Sequence, residues 1–277
     1  MKGENLSVMK KYPIVLTIAG SDSVGGAGIQ ADIKAISATG SYAASAITAV
    51  TVQNTTGVSA VHAVPVEVIK GQIEAVLSDI GADAVKIGML NIPEVVLAVR
   101  DELDAFAVRN VVLDPVMVAT SGDKLLSDDS IGLLISELVP RARVITPNIP
   151  EAEILAGEKI TGQGELERIA RKLSLGGKVS VMMKAGHLQD SDTLTDVFYN
   201  AEEDTVLRLS SKRIETPNTH GTGCTLSSSI ASFLAQGLSL NDAVRSAHDY
   251  LANAIASGAD YVIGHGHGPV NHFWRLA

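Results

Sequence analysis

Cysteine, aromatic residues and long apolar runs are scarce in this sequence. The single cysteine, Cys224, excludes an intrachain disulfide. No apolar stretch reaches the roughly 18 residues expected of a membrane-spanning helix. Aromatic residues make up 4% of the chain and hydrophobic residues 46%, so the core must consist mainly of aliphatic side chains. That mixture is typical of a buried parallel sheet covered by closely packed helices.

Positive charge is also in deficit. The chain carries 22 Lys and Arg against 31 Asp and Glu, which gives a formal net charge of −9. This balance argues against non-specific binding to nucleic acid and against a polybasic membrane-binding surface. The first eleven residues are polar and lack the apolar core of a signal peptide. We therefore expect a cytoplasmic protein that binds neither nucleic acid nor membrane, with a flexible tail over residues 1–11 and one domain over residues 12–277.

Two common nucleotide-binding signatures, Gly-x-Gly-x-x-Gly and Gly-x-x-x-x-Gly-Lys-[Ser/Thr], are missing as well. Instead, a short apolar run over residues 13–19 is followed by a glycine-rich segment, residues 20–28, and then by a helical pattern that ends at Gly40. A glycine-rich turn that contains Asp22 at the end of a buried strand favours binding of a substrate or an anion. A plain connection between strand and helix is the alternative.

The middle of the chain alternates short β-prone runs with helical patterns at least four times. This alternation predicts a mostly parallel sheet with right-handed crossovers and helices on both faces. Polar or glycine-rich interruptions fall at the predicted strand ends or at a helix start. They are Asp22, Gln53, Met89, Asp114, Asn148, Glu151, Lys184 and 221–224. Because the carboxyl ends of parallel strands meet at one edge of a sheet, we expect these groups to lie along one rim.

The segment His220-Gly-Thr-Gly-Cys-Thr225 precedes a helical run of small and apolar residues, 226–234. Glycine permits a tight turn and brings backbone N–H groups close to a ligand. The first N–H groups of a helix have no partner within it, and the helix dipole is positive there, so this start suits a phosphate. The same position predicts a lowered pKa for the Cys224 thiol. These features indicate the catalytic centre of a kinase; a glycine-rich helix start with a small buried cysteine is the alternative.

Phosphoryl transfer also needs a base for the acceptor hydroxyl and a cation for the nucleotide phosphates. Cys224 is the candidate base, and a covalent role assisted by His220 is a weaker option. Asn148 and Glu151 are spaced to bind Mg²⁺ directly or through water, or else to cap a helix. Lys184 is a candidate phosphate ligand or a solvated lysine at a strand end, and Asp114 is a supporting acid or a turn former.

At this point the residues resemble a known family. Eight segments match in order across nearly the whole chain. They are 17–34 (TIAGSDSVGGAGIQADIK), 48–57 (TAVTVQNTTG), 86–90 (KIGML), 111–122 (VVLDPVMVATSG), 146–153 (TPNIPEAE), 183–187 (MKAGH), 218–225 (NTHGTGCT) and 264–273 (GHGHGPVNHF). Together they are similar to the bacterial hydroxymethylpyrimidine/phosphomethylpyrimidine kinases, the thiamin-pathway members of the ribokinase-like superfamily.

The resemblance implies a ribokinase-like α/β fold, a three-layer α/β/α sandwich with a central, mostly parallel sheet. It implies phosphorylation of 4-amino-5-hydroxymethyl-2-methylpyrimidine and then of its monophosphate, with ATP and Mg²⁺, by a homodimer. In this family the motif at Gly221, Thr222 and Gly223 supplies an anion hole. Cys224 stands where sugar kinases of the superfamily carry an aspartate base.

The resemblance also implies positions for the ligands. Gln53 is expected to hold the pyrimidine, with Gly20, Asp32 and Met89 as further pocket positions. Asn148 and Glu151 are expected on the side of the Mg²⁺ and phosphates, where the residues themselves also suggest Lys184.

Three alternatives stay open on the sequence alone. A pyridoxal or pyridoxine kinase of the same superfamily would act on a similar hydroxymethyl-bearing ring. A catalytically silent nucleotide- or pyrimidine-binding regulator would share the fold without turnover. A zinc enzyme would use the late histidines His265, His267 and His272, although no cysteine or acid completes a ligand set near them.

Overall fold

Nine strands form one sheet in the computed structural model of this protein, which describes residues 11–117, 126–186 and 193–276. The strands are β1 (Ile14–Ser21), β2 (Tyr42–Asn54), β3 (Gly57–Ala63), β4 (Ala84–Ile87), β5 (Val111–Leu113), β6 (Val144–Ile145), β7 (Ser180–Met183), β8 (Thr193–Asn200) and β9 (Thr205–Lys212). Their order across the sheet is β3-β2-β1-β4-β5-β6-β7-β8-β9. The six strands from β2 to β7 in this order are parallel, so their carboxyl ends share one edge.

Eight α-helices of the described residues cover the sheet. They are α1 (Gly28–Ala38), α2 (Val66–Asp79), α3 (Pro93–Ala105), α4 (Asp128–Leu133), α5 (Ile149–Ala156), α6 (Leu166–Leu173), α7 (Thr222–Ala235) and α8 (Leu240–Gly258). Helices α1, α7 and α8 share one apolar core with the sheet, and α2 to α6 share the other. Successive side chains of a strand point to opposite faces, and Val15 and Leu16 accordingly enter different cores. The predicted three-layer α/β/α sandwich is confirmed.

Antiparallel hairpins close both edges of the sheet. β3 pairs with β2 at one edge, and β9 pairs with β8 at the other. The sequence predicts both pairs, because each consists of two β-prone runs separated by a short polar stretch. None of the described helices is long and apolar enough to cross a membrane.

The sequence also predicts a helix over residues 130–139, and the observed helix differs from it in form. α4 begins earlier and passes into a π-helical turn, Leu134–Leu138, and then into a 3₁₀ turn, Val139–Arg141. Pro140 explains the end of the helix, because proline has no N–H to continue the hydrogen-bond ladder. The turn predicted at residues 121–123, the matched His187 and residues 1–10 of the N-terminal tail lie outside the described residues.

Candidate active site

Two glycine-rich loops meet at the carboxyl edge of the parallel strands. The loop after β1 packs against the loop that enters α7, and Gly221 there has φ +80°. A side chain at Gly221 would collide with the carbonyl oxygen of Gly26, and a side chain at Gly26 would collide with the His220 ring. Both positions therefore need glycine, because only a bare backbone allows this approach. The contact brings two segments nearly 200 residues apart, Asp22 and His220 among them, into one site.

The first turn of α7 presents unpaired N–H groups. The N–H of Thr222 donates to the Thr219 carbonyl at 3.3 Å, and that of Thr225 donates to the Gly221 carbonyl at 2.9 Å. In the described part of the chain, nothing accepts a hydrogen bond from the N–H of Gly223 or Cys224. Two free N–H groups at the positive end of a helix dipole are the arrangement that an anion site requires, which is the role that the sequence predicts for this turn.

Lys184 lies directly beside this turn. A Cβ placed on Gly223 would lie 3.2 Å from Lys184 Nζ. The ammonium group donates to Asp114 Oδ1 at 2.9 Å and lies 3.9 Å from Glu151 Oε2. Its side chain is 15% exposed, so the alternative of a solvated strand-end lysine is wrong. Burial opposes its charge, but the neighbouring carboxylates of Asp114 and Glu151 raise the pKa of Lys184.

Asp114 is buried and fully engaged by protein groups. Its Oδ1 also accepts from the Thr146 hydroxyl at 2.9 Å, and its Oδ2 faces the Ser227 hydroxyl at 3.4 Å. Burial by itself would raise the pKa of Asp114, but the positive charges of Lys184 and Lys86 lower it. Of the two roles considered for it, the structure favours that of a supporting acid, since Asp114 holds Lys184 in place.

Asn148 and Glu151 form a capping box at the start of α5. Asn148 Oδ1 accepts from the Glu151 N–H at 2.9 Å, and Glu151 Oε2 accepts from the Asn148 N–H at 2.8 Å. The capping alternative is therefore realised. Burial raises the pKa of Glu151 to about 7, despite the opposing charge of Lys184. Glu151 lies on the Lys184 side of the site, since its Oε2 is 3.9 Å from Lys184 Nζ.

A second ion pair lies beneath α7. Lys86 Nζ contacts both oxygens of Asp32 at 2.9 Å, and neither side chain has any exposed surface. Asp32 also accepts from the hydroxyls of Thr17 at 2.6 Å and Ser228 at 2.7 Å. Asp32 thus faces protein on every side, which corrects the expectation that it lines the substrate pocket. Helix α1 turns its side chain inward to the sheet, where the Lys86 charge requires a partner.

The Cys224 thiol differs from its predicted state. Burial raises the pKa of Cys224 to about 11, although the charge of Lys86 and a hydrogen bond from the Gly28 N–H act in the opposite direction. The prediction of a lowered pKa is wrong. A helix N-terminus lowers a thiol pKa when water can also solvate the thiolate, but here Cys224 is only partly exposed and the Gly28 N–H of the first glycine-rich loop lies against the sulfur.

His220 pairs with Asp22 and not with the thiol. His220 Nε2 lies 2.9 Å from Asp22 Oδ2 and 3.4 Å from the Nε2 of Gln53. Asp22 also accepts from the N–H groups of Val24, Gly26 and Ala27, so it organises its own loop. Burial alone would raise the pKa of Asp22, but the hydrogen bonds from His220 and from these N–H groups lower it.

Gln53, Gly20 and Met89 approach the same loops. The Gln53 side chain is partly buried, and its Oε1 accepts from the Thr51 hydroxyl at 3.1 Å. The Met89 side chain packs on Gly20 so closely that a Cβ at Gly20 would strike its terminal methyl. These three positions lie at the ends of β1, β2 and β4, on the rim that the sequence predicts.

Comparison with known proteins identifies the family. A family model described as phosphomethylpyrimidine kinase matches residues 22–271 of this chain. The chain belongs to the phosphomethylpyrimidine kinase family. It is 51% identical over 263 residues to a hydroxymethylpyrimidine/phosphomethylpyrimidine kinase of Rhizobium meliloti (strain 1021), an alignment that covers 95% of this chain and 97% of the relative.

Two solved structures extend the comparison. A phosphomethylpyrimidine kinase of Clostridium difficile 630 is 42% identical, with a TM-score of 0.78, and the match covers 88% of this chain and all of that one. A pyridoxal kinase of Bacillus subtilis in an ADP complex is 32% identical, with a TM-score of 0.88, and covers 96% of this chain and all of that one. The fold is thus shared by kinases named for two different ring substrates.

The late histidines of this phosphomethylpyrimidine kinase family member have separate partners. The His267 backbone N–H donates to the Thr55 carbonyl at 2.8 Å, and the His265 N–H donates to the Thr55 hydroxyl. His272 Nε2 lies 3.0 Å from the Thr225 hydroxyl. Burial lowers the pKa of His272 to about 4. Within the described ranges no group of three metal-binding side chains forms, so the zinc alternative gains no support from the structure.

Lys86 is not among the site residues that the sequence predicts. The signal was available, because Lys86 interrupts an otherwise apolar strand, residues 84–87. A lysine is almost never fully buried unless it is paired. A charged residue at the centre of a short buried strand therefore predicts an acidic partner from another segment, here Asp32.

Proposed function

We propose that this family member is an ATP-dependent kinase of 4-amino-5-hydroxymethyl-2-methylpyrimidine and of its monophosphate, and that it makes the diphosphate for thiamin biosynthesis. The observation that carries the proposal is the pair of free N–H groups on Gly223 and Cys224, next to the Lys184 ammonium and the only thiol of the chain. The names of relatives at 42–51% identity support the choice of substrate.

The acceptor chemistry falls to Cys224. As the substrate hydroxyl oxygen attacks the γ-phosphorus, the bond from that phosphorus to the bridging oxygen breaks and ADP leaves. The hydroxyl proton passes to the sulfur, which must be a thiolate at that moment. With a thiol pKa of about 11 the thiolate is scarce at neutral pH but strongly basic once formed. The N–H groups of Gly223 and Cys224 stabilise the charge on the transferring group.

The nucleotide phosphates would meet Lys184. Asn148 and Glu151 would hold Mg²⁺ through its waters, because their oxygens are already used in the capping box and direct coordination would break the cap. The oxygen-only chemistry of this pair fits a hard cation. When bound, Mg²⁺ would neutralise part of the phosphate charge. The carboxylate of Glu151 would attract the cation only in its ionised form.

The pyrimidine would lie between the two glycine-rich loops. Gln53 offers an amide to the ring nitrogens, and the His220 ring lies beside that amide. Gly20 and Met89 form the apolar wall for the ring. Asp32 is reassigned here from a pocket position to a group behind the pocket, since it has no exposed surface.

We also propose that residues 12–277 form one catalytic domain and that two copies associate. The sheet runs without interruption from β3 to β9, which supports one domain. Val50 and Val52 project from one face of β2 with 45% and 59% of their surface exposed. Apolar side chains on an edge hairpin are a surface that a second copy would cover. Light scattering of the wild type and of Val52→Asp tests this, with a monomeric wild type as the contradicting result.

The activity test compares three acceptors in the presence of ATP and Mg²⁺: the pyrimidine, its monophosphate and pyridoxal. We expect ADP formation that depends on the pyrimidine and a higher kcat/KM for it than for pyridoxal. The high TM-score to a pyridoxal kinase makes pyridoxal the second candidate. A higher kcat/KM for pyridoxal would overturn the proposal in its favour. Tight binding of the pyrimidine without any turnover would indicate the silent regulator instead.

A further inference from the structure

A buried charge pair joins α1, β1, β4 and α7 in this fold. Lys86 and Asp32 are completely enclosed, and a buried ion pair is often no more stabilising than apolar residues of the same volume. Its location suggests another purpose. Lys86 and Thr17 are neighbours on β4 and β1, and both face the core shared with α1 and α7.

The pair connects directly to the catalytic helix. Asp32 accepts from the hydroxyl of Ser228 at 2.7 Å, and Ser228 lies four residues after Cys224 on α7. Residues four apart lie one above the other on a helix. Asp32 also lies one helical turn after Gly28 on α1. The Gly28 N–H donates to the Cys224 sulfur. The pair is therefore anchored one helical turn behind the thiol on two separate helices.

We infer that Lys86 and Asp32 are positioning residues of the reaction, whose opposite charges, fixed behind the first turn of α7, set how readily the Cys224 thiol loses and regains its proton. Four charged groups interact electrostatically with this thiol: Lys86 on β4, Asp32 on α1, Asp114 after β5 and Lys184 after β7. Lys86 favours the thiolate, whereas Asp32 and Asp114 disfavour it. Because the interior is poorly solvated, these charges act on the sulfur with little screening.

The opposite charges of Lys86 and Asp32 predict opposite effects on the thiol, and this difference can be tested. Cys224 is the only cysteine, so iodoacetamide treatment of the full chain, followed by mass spectrometry of the peptide that carries Cys224, reports on this thiol alone. The measured quantity is the pH at which the alkylation rate is half-maximal. We expect Asp32→Asn to move this midpoint to lower pH and Lys86→Met to move it to higher pH, each by about one unit, which is a tenfold change in thiolate population at a fixed pH. The double variant should return close to the wild-type midpoint.

The control is Glu102→Gln, which removes a buried acid from α3 on the other face of the sheet and should leave the midpoint unchanged. If Lys86→Met does not fold, the direction of the midpoint shift can still be measured in Asp32→Asn and in the double variant. Shifts of Asp32→Asn and Lys86→Met in the same direction, or no shift of Asp32→Asn in a folded protein, would overturn the inference. The inference builds on the proposed role of Cys224, but alkylation needs neither ATP nor pyrimidine, so its failure is distinguishable from failure of the kinase proposal.

Discussion

Two lysine–aspartate pairs flank the first turn of α7, and they differ in their access to solvent. The pair Lys86–Asp32 is sealed, with no exposed surface on either side chain, whereas Lys184 of the pair Lys184–Asp114 keeps 15% of its side chain exposed. Both pairs have the same 2.9 Å contact. The difference indicates two separate roles. The enclosed charge of Lys86, in the sealed pair, can act only on other protein groups, whereas the partly exposed charge of Lys184, in the open pair, can also contact a ligand.

Cys224 interacts electrostatically with both pairs, and its substitution gives the largest expected effect. Cys224→Ser keeps the N–H groups of the anion site but removes the base, because a serine hydroxyl is far harder to ionise than a thiol. We expect kcat to fall by about 10²–10⁴-fold, the usual contribution of general base catalysis. Ser229→Ala is the matched control, since its buried hydroxyl has no partner within the described residues. A Cys224→Ser enzyme with the wild-type kcat would remove the base from the mechanism.

The sealed pair should dominate stability. Lys86→Met leaves the Asp32 carboxylate buried without its cation, so the free energy of unfolding in urea should fall by about 3–5 kcal/mol. Adding Asp32→Asn should restore much of that loss, because no charge then remains buried there. For Lys184→Met the loss should be smaller, since the positive charge of Lys86 would still act on the remaining Asp114 carboxylate. Equal losses in the two lysine variants would break the distinction between a sealed and an open pair.

The open pair should dominate use of the nucleotide. Lys184→Met is expected to lower kcat/KM for ATP by about 10²–10³-fold, as removal of one donor to a transferring phosphate commonly does. Titration calorimetry should show nearly unchanged affinity for the pyrimidine. Lys159→Met, at a lysine with 85% of its side chain exposed, is the control for loss of a surface charge. A loss of pyrimidine affinity equal to the loss for ATP would place Lys184 on the wrong side of the site.

His272 contacts the first turn of α7 through the Thr225 hydroxyl and is a neutral group, in contrast to the two charged pairs. Its substitution should have the smallest effect. Burial lowers the pKa of His272 to about 4 from an ordinary value near 6.5. The unfolded chain therefore binds the proton more tightly, and stability falls as the pH is lowered from about 6.5 to about 4. We expect His272→Gln to reduce this fall in the free energy of unfolding by up to about 3 kcal/mol. Identical pH dependence in the variant would show that the ring is not held neutral.

Much of the fold followed from short-range patterns. The alternation of apolar runs with helical periodicity predicted the parallel sheet and its covering helices. The helical pattern over residues 166–173 predicts a helix that coincides with the observed α6, Leu166–Leu173. The rim was also predictable, because parallel strands bring their carboxyl ends to one edge. Helix form was less predictable where α4 passes into a π-helical turn, since that depends on local packing before Pro140.

The site divides in the same way. The glycines of the His220–Thr225 segment predict an anion site, because backbone geometry is a local property. The partners of the charged groups were not predictable, since Lys86 and Asp32 are 54 residues apart and Lys184 and Asp114 are 70 apart. The capping box at Asn148 and Glu151 was one of two open alternatives, and only the hydrogen bonds decided between them.

By itself the sequence determined the order of strands and helices, the glycines that allow two loops to touch, and the presence of one thiol at a helix start. Tertiary structure alone decided the ionisation of that thiol and the pairing of the buried lysines. The physical reason is that backbone preferences act between neighbours in the chain. Solvation and charge act through space, so they depend on which distant segments enclose a group.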